Sequence, residues 1–155
     1  SGVGAAMLDR VIEAVPLVRE RVPGLRTMVV AGPRIDPAGL PDADGLEVHG
    51  YVHELYRHAA ACDVAVVQGG LTTTMELVAA NRPFIALPLA SHMEQRFHVR
   101  HRLDRYGARS WLEYAETSPA VLASAVVEAL GSRPSYRPID AAGATRAAAL
   151  IAELL

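Results

Sequence analysis

Val67-Gln68-Gly69-Gly70-Leu71-Thr72-Thr73-Thr74-Met75-Glu76 is the stretch on which the reading of this chain turns. Asp63 to Val67 reads as a strand that is apolar on both faces, as expected in a parallel sheet covered by helices. Two glycines end it, and Thr74 to Ala80 reads as a helix whose start carries hydroxyls. That order suits a phosphate-bearing ligand. Glycines let the backbone approach, and free N–H groups at a helix start attract an anion. Glu76, one turn further on, offers a carboxylate that accepts hydrogen bonds from sugar hydroxyls. Thr73-x-x-Glu76 also fits a capping box, in which the two side chains satisfy orphan donors of the helix itself. Thr72 is expected at the surface, since three consecutive threonines cannot all face one ligand.

The alternation continues on both sides. Met7 to Val22 has helical periodicity, with Met7, Leu8, Val11, Ile12, Val15 and Val18 in one stripe. Pro16 falls inside it and is expected to kink or divide it. Arg26 to Ala31 and Leu46 to His49 read as strands separated by a Pro- and Gly-rich loop, and His53 to Ala61 as a short helix. Phe84 to Leu87 reads as a strand, Met93 to Tyr106 as a helix, and Arg109 to Leu112 as a short edge strand. Ser118-Pro119 supplies an N-cap and a first-turn proline for a helix through Leu130. Asp140 is expected to cap a last, alanine-rich helix to Leu155. Together these elements predict an α/β fold: a doubly wound, Rossmann-like parallel sheet with helices on both faces, in a single domain over residues 1–155.

Ser1-Gly2-Val3-Gly4-Ala5-Ala6 has the form of a glycine turn between a strand and a helix, yet no strand precedes it. In a doubly wound sheet the first strand is usually central. The expectation is a sheet that lacks this strand, with apolar surface that another chain segment supplies cover for. Residues 1–155 would then be a fragment of a larger two-domain protein.

Bulk properties narrow the function. With 155 residues the chain can bury a core, and 51% hydrophobic against 5% aromatic residues makes that core mostly Ala, Val and Leu. Fifteen basic residues against 17 acidic ones leave no excess charge for a nucleic-acid backbone. No apolar run has the length of a membrane span. Cys62 is the lone cysteine, set among Ala59, Ala60, Ala61 and Val64; it reads as packing, and fits a reducing, cytoplasmic location. Lysine is absent, which base composition explains without marking a site.

From Gln68 onward the chain resembles the signature His-x-Gly-x-Asn-Ser-Thr-x-Glu of GT-B nucleotide-sugar glycosyltransferases. This group includes the UDP-glycosyltransferases and the bacterial N-acetylglucosaminyltransferases that act on the peptidoglycan precursor. Gln68 stands where histidine is common, Gly70 matches the glycine, Thr72 replaces the asparagine, and Thr73, Thr74 and Glu76 follow in register. Pro83 and Pro88 keep the family's spacing, and Glu94-Gln95 resembles its terminal acidic-Gln pair. The likeness is strongest from Leu46 to Gly107.

The resemblance implies the C-terminal, donor-binding half of an enzyme that moves a sugar from a nucleoside diphosphate, UDP being expected, to an acceptor hydroxyl. It implies a donor diphosphate held at Gly69, Gly70, Leu71, Thr72, Thr73 and Thr74, with Gly2 and Gly4 facing it. Glu76 would bind the ribose, and Tyr51, Val52 and His53 would bracket the base. His92, Glu94 and Gln95 would bind the transferred sugar. Arg34, just beyond a strand end, is either a phosphate contact or an exposed loop arginine. Gln68 removes the charge that a histidine would bring to the phosphates.

No obligatory metal and no cofactor beyond the nucleotide-sugar co-substrate are implied. His92, Glu94, His98 and His101 interleave with Arg96, Arg100, Arg102 and Arg105, which reads as a solvated charged face. The general base is expected on an N-terminal acceptor-binding domain, of the same protein or a partner chain. The isolated chain would bind nucleotide without catalysing. A nucleotide-sugar hydrolase or epimerase on the same scaffold, and a non-catalytic nucleotide-binding subunit, are the other readings.

Overall fold

The computed structural model describes residues 4–88 and 95–154. It opens with α1 (Ala5–Arg21), whose stripe Met7, Leu8, Ile12, Val15 and Val18 is buried. The helix runs unbroken through Pro16, against expectation. Pro16 is on the exposed side, where water can replace the bond its missing N–H removes.

Two parallel strand pairs follow. β1 (Thr27–Val30) pairs with β2 (Leu46–His49), Thr27 opposite Leu46 and Val30 opposite His49. After α2 (Leu55–Ala61), β3 (Ala65–Val67) leads through a tight turn into α3 (Leu71–Ala79). β4 (Phe84–Ala86) pairs with β3, Ala65 opposite Phe84 and Val67 opposite Ala86. The edge strand expected over Arg109 to Leu112 contracts to one bridge between Ala86 and Trp111. There the N–H of Ala86 donates to Ser110 O at 2.7 Å, and that of Leu112 to Ala86 O at 3.0 Å.

The remaining helices are α4 (Arg100–Tyr106), entered through a π-helical turn at Gln95–Val99, α5 (Pro119–Leu130) and α6 (Gly143–Ala152). Ser118 caps α5 as expected, its hydroxyl oxygen accepting from the N–H of Val121 at 3.3 Å. Asp140 does not cap α6, whose N-cap is Ala142. The carboxylate instead accepts from the N–H of Ala142 in the turn before the helix and pairs with Arg146. α6 is exposed along its whole length, Leu150 and Ile151 included. Among the described residues no helix is long and apolar enough to cross a membrane.

Side-chain alternation builds three layers around the second strand pair. Val64, Val66 and Ile85 point to one face and pack with Ala14 and Val18 of α1 and Leu122 and Val126 of α5. Ala65, Val67, Phe84 and Ala86 point to the other and pack with Ala59 of α2, Leu77 and Val78 of α3 and Leu103 of α4. The first pair joins the α1 side, with Val29 and Leu46 against Met7, Leu8, Ile12 and Val15. α1 therefore spans both pairs and runs opposite to both. Its first half meets Leu87, Ala31 and Ile35 beyond the strand ends, and its second half meets Leu25 and Val64 before the strand starts.

The two pairs are separate sheets, with no bridge between β1 and β3. Between them lies a hollow of about 630 Å³, walled by α1, β1, α2, β3 and α5.

Candidate functional site

The turn from β3 to α3 is built by two glycines with different jobs. Gly69 has φ +91°, a conformation that other L-residues rarely adopt. It carries the chain past Trp111, Ala86 and Pro88, which lie 3.7 to 3.9 Å from where a Cβ would sit. Gly70 is extended, with φ −64° and ψ 142°, and is the N-cap of α3. Nothing lies within 4 Å of its Cβ position.

The first helical bond of α3 runs from the N–H of Thr74 to Gly70 O, at 3.1 Å. The N–H groups of Leu71, Thr72 and Thr73 therefore have no helical partner, and no side chain caps the helix. Donors without a partner among the described residues, the positive end of a nine-residue helix and open space beside Gly70 are the features by which helix starts attract anions. The helix begins three residues before the expected Thr74. Thr73 is thus its third residue and Glu76 its sixth, so they form no capping box.

The three threonines diverge. Thr72 is exposed and Thr73 is half-buried on the wall of the hollow. Thr74 is fully buried, its hydroxyl shared between the carbonyls of Gly70 at 2.9 Å and Leu71 at 3.0 Å. This hydroxyl, expected among the phosphate-binding ones, is here engaged within its own helix. Residues on successive helical positions are rotated about 100° from one another, so the third turns into the core when the first faces solvent.

The hollow also brings Gly4, at the start of α1, to the same lining as Gly70 and Thr73. A Cβ on Gly4 would touch Ile35 Cδ1 at 3.6 Å. Glu76 is half-buried one turn into α3 and has no ion-pair partner among the described residues. Tyr51, Val52 and His53 form the turn that leaves β2, apart from the hollow, with Tyr51 74% exposed. Glu54, in the left-handed region at φ 50°, ends that turn and starts α2 two residues later than expected. Arg34 is exposed in the turn after β1. Gly2, His92 and Glu94 lie outside the described residues, and Gln95 opens the π-helical turn. Among the described residues no three His, Cys, Asp or Glu side chains gather as metal ligands.

One feature beside the turn has no sequence signal beyond the edge-strand reading. Trp111 lies against Gly69, with the Arg100 guanidinium 5.8 Å from the ring centroid. Its Nε1 is buried and has no hydrogen-bond partner among the described residues.

Residues 29–155 match the family described as glycosyltransferase family 28 C-terminal domain. Two uncharacterized glycosyltransferases of Methanosarcina acetivorans are similar to the chain. One is 25% identical over 111 residues, which is 70% of this chain and 28% of that protein. The other is 29% identical over 131 residues, which is 83% of this chain and 32% of that protein. The crystal structure of the glycotransferase of kitacinnamycin shares the fold, with a TM-score of 0.59 at 24% identity over 92% of this chain and 34% of that one. The chain spans about a third of the length of the proteins it matches. The family match covers most of the chain, strand pairs and α3 turn alike, and so the chain belongs to the glycosyltransferase family 28 C-terminal domain family, the C-terminal half of a GT-B fold.

Proposed function

We propose that residues 1–155 form one unit, the donor-binding half of an enzyme that transfers a sugar from a nucleoside diphosphate, UDP by preference, to an acceptor hydroxyl. The observation that carries this reading is the start of α3. The N–H groups of Leu71, Thr72 and Thr73 have no hydrogen-bond partner among the described residues, the space around a Cβ at Gly70 is open among them, and the family match supplies the chemical context. Breaking the sugar–phosphate bond leaves negative charge on the departing diphosphate. Fixed donors and a helix dipole aimed at that charge stabilise it without reorganising.

In this reading the diphosphate meets the backbone of Gly69, Gly70 and Leu71 and the hydroxyls of Thr72 and Thr73. Gly2 and Gly4 let the facing backbone approach. Thr74 acts from beneath, tying the Gly70 carbonyl into the helix. Glu76 accepts from the ribose hydroxyls, the turn Tyr51, Val52 and His53 brackets the base, and His92, Glu94 and Gln95 take the sugar hydroxyls. Arg34 adds positive charge at the rim. The acceptor site and the general base belong to the rest of the polypeptide or to a partner chain, so residues 1–155 alone give no turnover.

Calorimetric titration of the full-length protein with UDP, GDP, dTDP and ADP tests the reading. Tightest binding of UDP is the expected result. Equal affinity for all four contradicts the preference for UDP, and no binding of any contradicts the donor site.

A further inference from the structure

The segment from Ser110 to Tyr114 touches the starts of both α3 and α1. Its middle is fixed on the end of β4, where the N–H of Ala86 donates to Ser110 O and that of Leu112 to Ala86 O. From this anchor Trp111 reaches the turn before α3, its Cζ3 3.7 Å from where a Cβ on Gly69 would sit. Further along, Tyr114 reaches the first turn of α1, and its hydroxyl donates to Ala6 O at 3.1 Å. The Arg10 guanidinium lies over the Tyr114 ring, 3.8 Å from its centroid, and also donates to the Tyr114 carbonyl. One arginine therefore holds the tyrosine by ring and backbone at once.

α1 begins as α3 does. Its first helical bond runs from the N–H of Leu8 to Gly4 O at 3.1 Å, and no side chain caps it. The N–H groups of Ala5, Ala6 and Met7 have no hydrogen-bond partner among the described residues. Gly4 lines the same hollow as Gly70 and Thr73. Met7 and Leu8 anchor the inner side of this turn in the core, whereas Ala6 is exposed. Among the described residues, the Tyr114 hydroxyl makes the only side-chain hydrogen bond to that outer side.

We infer that Tyr114 is a positioning residue for the donor site: held by Arg10, it fixes the first turn of α1 where its N–H groups and those at the start of α3 meet the same diphosphate. The inference rests on the donor-binding reading above. Tyr114 itself meets no ligand; it acts through the backbone of Ala6. Base and ribose are assigned to Tyr51, Val52, His53 and Glu76, none of which is hydrogen-bonded to Tyr114. Loss of the hydroxyl therefore falls on phosphate binding and spares the nucleoside.

Tyr114→Phe in the full-length protein keeps the ring beneath Arg10 and removes the hydroxyl, with thermal unfolding as the check on the fold. UDP is titrated by calorimetry and uridine by ligand-observed NMR. UDP affinity should fall about threefold to tenfold, the range that one hydrogen bond spans, while uridine affinity stays the same. Arg10→Ala, which releases the tyrosine from its other side, should give the same selective loss. Undiminished UDP affinity in Tyr114→Phe would overturn the inference and leave the donor site standing. Parallel losses for UDP and uridine would also overturn it, by showing a general loosening of the domain. No UDP binding by the unaltered protein would overturn the donor-site reading and the inference with it.

Discussion

The hydroxyl of Thr74 donates to the carbonyl of Gly70, the residue that caps the same helix, across 2.9 Å. The bond closes the first turn of α3 from inside and leaves the outward face of that turn to the N–H groups of Leu71, Thr72 and Thr73. Thr74→Val keeps the shape and removes the hydroxyl. Gly70 O still accepts from the Thr74 backbone N–H, so the cost in denaturant unfolding is about 1 kcal/mol. UDP affinity should be unchanged by that variant and reduced by Thr73→Val. Equal losses in the two would contradict the separation of roles.

Gly69 and Gly70 should fail in different ways when each becomes alanine. At Gly69 the surroundings leave room for a methyl group, but φ +91° is strained for any side chain. Gly69→Ala should destabilise by about 1–3 kcal/mol. Gly70 already has an ordinary backbone, but at the N-cap of α3 glycine is a better residue than alanine, so Gly70→Ala should destabilise by about 0.5–1 kcal/mol. Its methyl group would occupy the space assigned to phosphate and should weaken UDP binding by about tenfold, or about 1.4 kcal/mol. Thermal unfolding and calorimetry on the two variants separate the effects.

Cys62 sits on the wall of the hollow with its thiol 3.2 Å from Ala59 O, and burial pushes its pKa above the ordinary thiol value. Folding therefore favours the neutral thiol. That contribution to stability is complete below the unfolded pKa and is lost as pH rises through the folded one. Alkylation of Cys62 by iodoacetamide in the full-length protein, followed by peptide mass spectrometry, should show a midpoint displaced to higher pH than a free thiol. A midpoint at or below the free-thiol value would contradict this environment.

Much of the architecture is legible in the residues because each layer leaves its own period. Met7, Leu8, Ile12, Val15 and Val18 mark α1 by helical spacing, and Val64 to Val67 are apolar at each position because both faces of β3 are covered. What depends on three-dimensional packing is not legible. Leu71 to Thr73 lie before the expected helix start at Thr74, yet they are the first residues of α3. Pro16 reads as a breaker because sequence does not say which side of the helix meets water. Arg109 to Leu112 read as a strand and make one bridge, to Ala86, among the described residues. The site divides likewise. Gly70 is recognisable from its spacing, whereas the inward turn of Thr74 and the buried indole of Trp111 follow from contacts with distant residues.

The central claim is that α3 holds a donor nucleotide, with its ribose at Glu76. The most direct test is UDP titration of full-length protein carrying Glu76→Ala beside the unaltered protein, with thermal unfolding as the control. A carboxylate that accepts from ribose hydroxyls makes hydrogen bonds worth about 1.5–3 kcal/mol, so affinity should fall by about tenfold or more while the unfolding temperature stays the same. Undiminished UDP affinity in a folded Glu76→Ala protein would contradict the account.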